Sequence, residues 1–186
     1  MTPSNCPPPR FFLALINSLR GIDASHVHPY VDFLDCLIRF NPSLDMPFDL
    51  WKHLASSIIR VGRSCHEKLA TSLLRLTCTT IKHLAVIQYN FIEEGLAAFV
   101  SDVLRNDIEA LRVTAMETVQ RLCLGRVQIQ AALFSAHVHE YLFSLLNKYH
   151  TKFLKKTTIH AIWAIAGDDV LQRQVILIAA VLVPKS

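Results

Sequence analysis

The stretch Leu96-Ala-Ala-Phe-Val-Ser-Asp-Val-Leu104 has an apolar spacing that recurs 42 residues later, in Tyr141-Leu-Phe-Ser-Leu-Leu146. Phe99, Val100, Val103 and Leu104 become Tyr141, Leu142, Leu145 and Leu146. The segments that follow, 108–124 and 154–166, match with a shift of 43: Leu111, Val119, Leu122 and Cys123 become Leu154, Ile162, Ile165 and Ala166. A repeat of about 42 residues built from helices is typical of an α-solenoid.

The composition agrees with a helical repeat. The chain has 186 residues, of which 52% are hydrophobic and 18% charged, and this excludes disorder over most of its length. Five Gly and eight Pro leave few turn residues for an all-β fold with many hairpins. Stacked helical units are buried on two sides, which accounts for the high apolar fraction. We therefore predict an all-α protein, a right-handed α-solenoid.

The domain organisation follows from the repeat. We expect a disordered tail at residues 1–10 and one helical-repeat domain at 11–186, with its clearest repeats at 88–128 and 130–172 and a truncated repeat from 173. The truncated repeat contains nine apolar residues, Val175–Val183, which are too few to span a bilayer. In the first half, apolar spacing predicts helices at 11–19, 29–40, 47–62 and 67–79, the third of them capped by Asp45 and entered through Pro47.

The sequence contains no motif for catalysis. Gly62-Arg-Ser-Cys-His66 lacks the second Gly of a nucleophile elbow, and neither common type of Gly-rich phosphate loop is present. Nine histidines invite a search for metal ligands, but the tightest pairs, His26-x-His28 and His137-x-His139, have a spacing that separates two side chains on a helix. We predict no enzyme activity, no cofactor, no catalytic residue and no metal site.

Cysteines and charge bear on location and partners. The five cysteines are widely spaced and contain no Cys-x-x-Cys pair, so reduced thiols and a cytoplasmic location are expected, with the nucleus as the alternative. A net charge of +4 favours acidic partners weakly. The densest basic run, Lys148 to Lys156, is interrupted by Tyr149 and Phe153 and is interpreted as a solvated edge beside a buried seam. Nucleic acid is therefore not the expected partner.

Two segments resemble armadillo repeats. Thr158-Ile-His-Ala-Ile-Trp-Ala-Ile-Ala-Gly-Asp-Asp169 is similar to the third helix and exit turn of an armadillo repeat, and Ile92-Glu-Glu-Gly-Leu-Ala-Ala-Phe-Val100 is similar to the approach to the second helix. The resemblance covers residues 88–182. A fainter likeness is to the armadillo portion of ankyrin-and-armadillo-repeat proteins, which would make this chain a fragment or short isoform.

The armadillo resemblance implies a concave groove that is lined by third helices and holds an extended peptide. On this chain the groove positions are Glu117 and Arg121 in one repeat and His160 and Ala164 in the next, with Trp163 beside them. The family's peptide-clamping Trp and Asn are absent from these positions, which argues against binding of nuclear-import signals. Glu117 and Arg121 have the i, i+4 order that favours an intrahelical ion pair.

We therefore expect a non-catalytic interaction scaffold that binds another protein or an extended peptide, through the third-helix groove, the apolar C-terminal helix, or both. Self-association through that C-terminal helix is a further expectation, and no transmembrane span is predicted. The alternative hypothesis is a helical-repeat nucleic-acid-binding module or an enzyme whose site is assembled from distant residues. Nucleic-acid binding would weaken steeply with salt.

Overall fold

In this computed structural model the structure describes residues 9–21, 24–41, 44, 46–63, 67–167 and 173. The described residues form ten α-helices and one short 3-10 helix, without a β-strand. The α-helices are α1 (Pro9–Gly21), α2 (Ala24–Phe40), α3 (Phe48–Gly62), α4 (Glu67–His83), α5 (Gln88–Glu93), α6 (Leu96–Leu104), α7 (Glu109–Cys123), α8 (Val127–Ser135), α9 (Val138–Lys148) and α10 (Lys152–Ala166); the 3-10 helix is Ala85–Ile87.

The chain divides into two compact units, Met1–Leu96 and Ala97–Ser186. In the first unit α2 packs along α4, and α1 packs on α2 and α3. In the second unit α10 packs against α7, α8 and α9. The boundary at residue 96 falls inside the predicted repeat 88–128, because α5 clusters with the first unit and α7 with the second.

The predicted apolar stripes form the core. Val31, Leu34 and Ile38 of α2, Trp51, Leu54, Ala55, Ile58 and Ile59 of α3, and Leu69, Leu73 and Leu76 of α4 are all buried. The two repeats behave alike: Leu111, Val119, Leu122 and Cys123 of α7 are buried, as are Leu154, Ile162, Ile165 and Ala166 of α10. Burial raises the pKa of the Cys123 thiol to about 12, because ionisation there would place a charge in the apolar core.

All four helices of the first half differ from their predicted limits, and α1 runs from Pro9 to Gly21 rather than from 11 to 19. α2 begins at Ala24 rather than Pro29, because Val27 is buried and extends the core face beyond the proline. α3 has Pro47 as its N-terminal flanking residue rather than inside its first turn, and Asp45 lies outside the described residues. α4 continues past Thr79 to His83. The hydroxyls of Thr77 and Thr80 donate to the carbonyls four residues earlier and so leave the helical hydrogen bonds intact.

The helix ends in the second unit have identifiable causes. Thr151 caps α10 by accepting a hydrogen bond from Leu154 N at 3.3 Å. Gly125 follows α7 with a positive φ, and Gly167 terminates α10 with φ +54° and ψ −137°, a conformation that glycine adopts far more easily than other residues. The predicted glycine turn after α10 is thus confirmed, whereas Asp168 and Asp169 lie outside the described residues.

The C-terminal apolar run 175–183 also lies outside the described residues. Within the described ranges, every helix is too short or too polar to cross a membrane.

Candidate peptide-binding face

The second unit places α7 and α10 side by side. Gln120 Nε2 donates to Thr157 O at 3.2 Å, and Thr158 Oγ1 donates to Met116 Sδ at the same distance. The two helices occupy equivalent places in successive repeats, since each residue of α7 corresponds to the residue 43 positions later in α10. The two segments that recur with a shift of 43 in the sequence thus belong to neighbouring, contacting helices.

Gln130 of α8 holds the ends of both helices. Its Nε2 donates to Cys123 O at 2.9 Å and to Ala164 O at 3.2 Å, so one amide group binds a carbonyl in the last turn of α7 and another in the last turn of α10. Carbonyls in the last turn of a helix lack the usual hydrogen bond from the N–H four residues on, and Cys123 O also accepts from Arg126 N at 3.1 Å. Gln130 is half-buried, and it links the two C-terminal ends.

The outward side of the pair is defined by equivalent positions on the two helices. We call this surface the paired-helix face; it consists of Ala110, Val113, Glu117 and Arg121 on α7 and Phe153, Lys156, His160 and Ala164 on α10. Glu117, Arg121 and His160 are exposed, and Ala164 is half-buried. Four of the five predicted groove residues thus occupy equivalent positions on the two helices, and three of them are exposed.

The fifth predicted residue, Trp163, lies at the edge of the paired-helix face. It corresponds to Gln120, which faces the neighbouring third helix rather than outward. Ile159 likewise corresponds to Met116. Ile159 is 39% and Trp163 45% exposed. These two side chains therefore occupy the side of α10 on which a further repeat would stack.

Phe153 and Lys156 are members of the face that sequence reasoning missed. Phe153 was expected in a buried seam, but 61% of it is exposed, because it corresponds to the exposed Ala110 rather than to a core position. Tyr149, in contrast, is buried at the end of α9, where the Arg112 guanidinium lies 5.7 Å from its ring centre. Applying the 43-residue shift to every position of α7 identifies both missed residues.

The charged groups of the face are available to a ligand. The expected Glu117–Arg121 ion pair does not form: among described residues, neither side chain is within 4.0 Å of an opposite charge. The backbone carbonyl of Arg121 instead accepts a hydrogen bond from Arg126 Nη1, which also reaches Leu122 O and Leu124 O around the end of α7.

The two histidines of the second-unit pair lie in different surroundings. His137 is exposed and its Nδ1 lies 2.9 Å from Glu140 Oε1, whereas His139 is buried and stacks on Phe134 with ring centres 4.3 Å apart. Burial lowers the pKa of His139, with the nearby Glu140 acting in the opposite direction. Within the described residues there is no group of three or more His, Cys, Asp or Glu side chains that could hold a metal ion.

A polar cluster in the first unit was not foreseen. Asp35 of α2 has 2% of its side chain exposed; it accepts a hydrogen bond from Thr79 Oγ1 at 2.6 Å, pairs with Arg75 Nε at 3.0 Å and also contacts Arg39. A buried carboxylate with this many donors is a structural tie between α2 and α4. Its donors come from α4 and from the next turn of α2. No local sequence motif predicts that Asp35 pairs with Arg75.

His28, Asp32 and Ser72 lie beside this cluster in the order of a hydrolase triad. Ser72 Oγ is 3.2 Å from His28 Nε2, and His28 Nδ1 is 3.2 Å from Asp32 Oδ2. However, Ser72 Oγ also donates to Asp32 Oδ1 at 2.9 Å, and the residue is buried in the interior of α4. Neighbouring N–H groups are used in helical hydrogen bonds and cannot stabilise an oxyanion. The trio links α2 to α4.

Comparison with known proteins gives structural likeness without sequence likeness. No family model matches the chain, and no curated protein matches it. A designed armadillo repeat protein in complex with the peptide (KR)4 has a TM-score of 0.69 at 14% identity, covering 94% of this chain and 74% of that protein. Computationally designed armadillo repeat proteins for modular peptide recognition give 0.69 at 16% identity, covering 91% and 70%.

An engineered protein gives a TM-score of 0.72 at 14% identity, over 91% of this chain and 68% of its own length. At such low identity these matches establish the fold and nothing more specific. The chain has an armadillo-like helical-repeat fold. This confirms the fold class that the 42-residue recurrence and the armadillo-like segments predicted.

Proposed function

We propose that this protein is a non-catalytic scaffold that binds an extended peptide segment of another protein on the paired-helix face. The observation that carries the proposal is the pairing of α7 and α10. Two third helices of an armadillo-like fold lie side by side and present Glu117, Arg121, Phe153, Lys156 and His160 to solvent.

The dimensions of the face suit an extended chain. Packed helices lie about 8–10 Å apart and an extended peptide rises about 3.3 Å per residue, so about three peptide residues span the step from α7 to α10. Matched side chains at 117 and 160 would then contact the peptide at that interval. The solved designed proteins with this fold include one in complex with a peptide, which supports the same mode of binding here.

The absence of a built catalytic arrangement in the described residues favours binding over chemistry. The nucleophile-like trio among those residues, His28–Asp32–Ser72, lacks donors for a reacting oxyanion. A cytoplasmic or nuclear location and self-association through the C-terminal apolar run remain predictions from the sequence.

The test is a selection of peptides from a random library on the full chain, followed by affinity measurement on two double variants. E117A/H160A removes one exposed residue from each third helix, and E93A/H53A removes the same residue types from exposed positions in the first unit. We expect E117A/H160A to weaken the selected peptides at least about tenfold, equivalent to about 1.4 kcal/mol, and E93A/H53A to change affinity less than about twofold. Equal affinities for both variants would refute the assignment of the site.

A further inference from the structure

We infer that the segment bound on the paired-helix face is acidic and carries a bulky apolar side chain. This inference rests on the proposed function and adds the chemical class of the partner. It depends on the composition of the exposed surface of α10.

The exposed charge of α10 has one sign. The 15 residues of this helix include Lys152, Lys155 and Lys156 and no Asp or Glu. All three lysines are exposed, and among the described residues none has a carboxylate within 4.0 Å. Lys152, Lys156 and His160 follow one another at i, i+4 spacing, which places them in one row along the helix. An acidic segment that crosses this row near Lys156 would lie within one helical turn of Lys152 as well.

The same surface offers an apolar contact. Phe153 lies one turn before Lys156, and its ring is the most exposed aromatic group of the second unit's described residues. Its counterpart on α7 is Ala110, and the next position along that helix face is Val113; both side chains are short. The neighbouring side chains on α7 are therefore short, which leaves space for a bulky apolar side chain of the peptide to pack against the Phe153 ring. An exposed aromatic ring between lysines contributes little to the stability of the free chain.

The neighbouring helix argues for a peptide over a nucleic acid. Glu109 and Glu117 on α7 are exposed and would repel a run of phosphates laid across both helices. A peptide can place a neutral or basic residue opposite Glu117 and its acidic residues opposite α10. Arg121 supplies a further positive charge at the C-terminal end of α7.

The experiment measures fluorescence anisotropy with three labelled probes on the full chain. The first is a peptide of about ten residues in which Asp and Glu flank one Phe, long enough to cross both helices. The second replaces every Asp and Glu by Lys or Arg, and the third is a single-stranded oligonucleotide. The variants are K152E/K156E and, with the same change of net charge on exposed lysines of α4, K68E/K82E.

We expect the acidic peptide to bind the parent chain at least tenfold more tightly than the basic peptide. K152E/K156E should reduce that affinity at least tenfold, F153A at least threefold, and K68E/K82E less than twofold. Equal losses in the two charge-reversal variants would show that only net charge matters and would overturn the inference. Tighter binding of the oligonucleotide than of the acidic peptide would overturn it in favour of nucleic acid.

This result can be separated from a failure of the proposed function. If library-selected peptides lose affinity in E117A/H160A but are not enriched in Asp and Glu, the face binds peptides and the inferred acidic class is wrong. If the acidic peptide binds and is insensitive to both E117A/H160A and K152E/K156E, the site itself is wrong.

Discussion

At the residue scale, the repeat explains the unusual backbone of His137. Gly95, just before α6, has φ +97°, and His137, 42 residues later and just before α9, has φ +57°. Gly95 N donates to Ile92 O at 3.1 Å, and His137 N donates to Phe134 O at 2.9 Å, so both turns close in the same way. The repeat thus places a left-handed residue at this turn in both copies. In the second copy the residue is His137, whose Cβ makes the conformation sterically unfavourable.

This equivalence predicts that H137G and G95A change the free energy of unfolding in opposite directions. H137G should raise the free energy of unfolding by about 0.5–1 kcal/mol, because glycine relieves the left-handed strain and the lost His137–Glu140 contact is exposed. G95A should lower it by about 1 kcal/mol. Urea denaturation measures both. A destabilised H137G together with a neutral G95A would show that the two turns are not equivalent.

The sequence could predict some site residues and not others for a physical reason. Glu117, Arg121 and His160 were predicted as candidates because they sit at positions that the armadillo resemblance implies for the groove, and the shift of 43 carries one helix onto the other. Phe153 was misassigned because an aromatic residue between lysines has the same local pattern whether its ring is buried or exposed. Only the equivalence with Ala110 separates the two interpretations.

At the element scale, Gln130 links the last turns of α7 and α10. A single amide nitrogen donates to carbonyls in the last turns of both helices, at 2.9 and 3.2 Å. Gln88 occupies the corresponding position one repeat earlier, and the 42-residue interval between them was visible in the sequence. The role of Gln130 could be assigned only from the structure, because its acceptors are backbone carbonyls, which the pattern of side chains does not predict.

Replacing Gln130 should therefore weaken the helix pair. Q130A removes both side-chain hydrogen bonds, while Cys123 O keeps the one from Arg126 N at 3.1 Å, and we expect a loss of about 1–3 kcal/mol in unfolding free energy. Q128A changes the same residue type on the exposed side of α8 and should cost less than about 0.5 kcal/mol. Urea denaturation of the two variants gives the comparison. Losses of equal size would mean that the amide bridge does not stabilise the pair.

Helix limits in the first half were predicted less well than helix faces. Every apolar stripe assigned to α2, α3 and α4 is buried, because periodicity reports the core directly. The start of α2 was placed at Pro29, since proline favours a first turn, but a buried Val27 extends the helix through it. The Asp35–Arg75 tie was beyond sequence reasoning, because its partners are 40 residues apart in helices with no repeat signal between them.

At the scale of the whole molecule, the helical repeat is visible in the sequence, whereas the division of the chain into two compact units is not. The recurrence spans residues 88–166, yet the compact units meet at residue 96, inside the first recognisable repeat. Identities of 14% and 16% to two designed armadillo repeat proteins accompany a TM-score of 0.69 in each case. The fold is thus shared at an identity too low to carry residue roles from those proteins to this chain.

The most direct test of the account is a chemical-shift map of the isotopically labelled full chain on titration with the tightest library-selected peptide. The central claim is that α7 and α10 bind the peptide together, through one face. We predict the largest amide shifts at residues 110–121 and 153–164, saturating with a single binding constant. Shifts concentrated in α1–α4, or in only one of the two third helices, would contradict the claim.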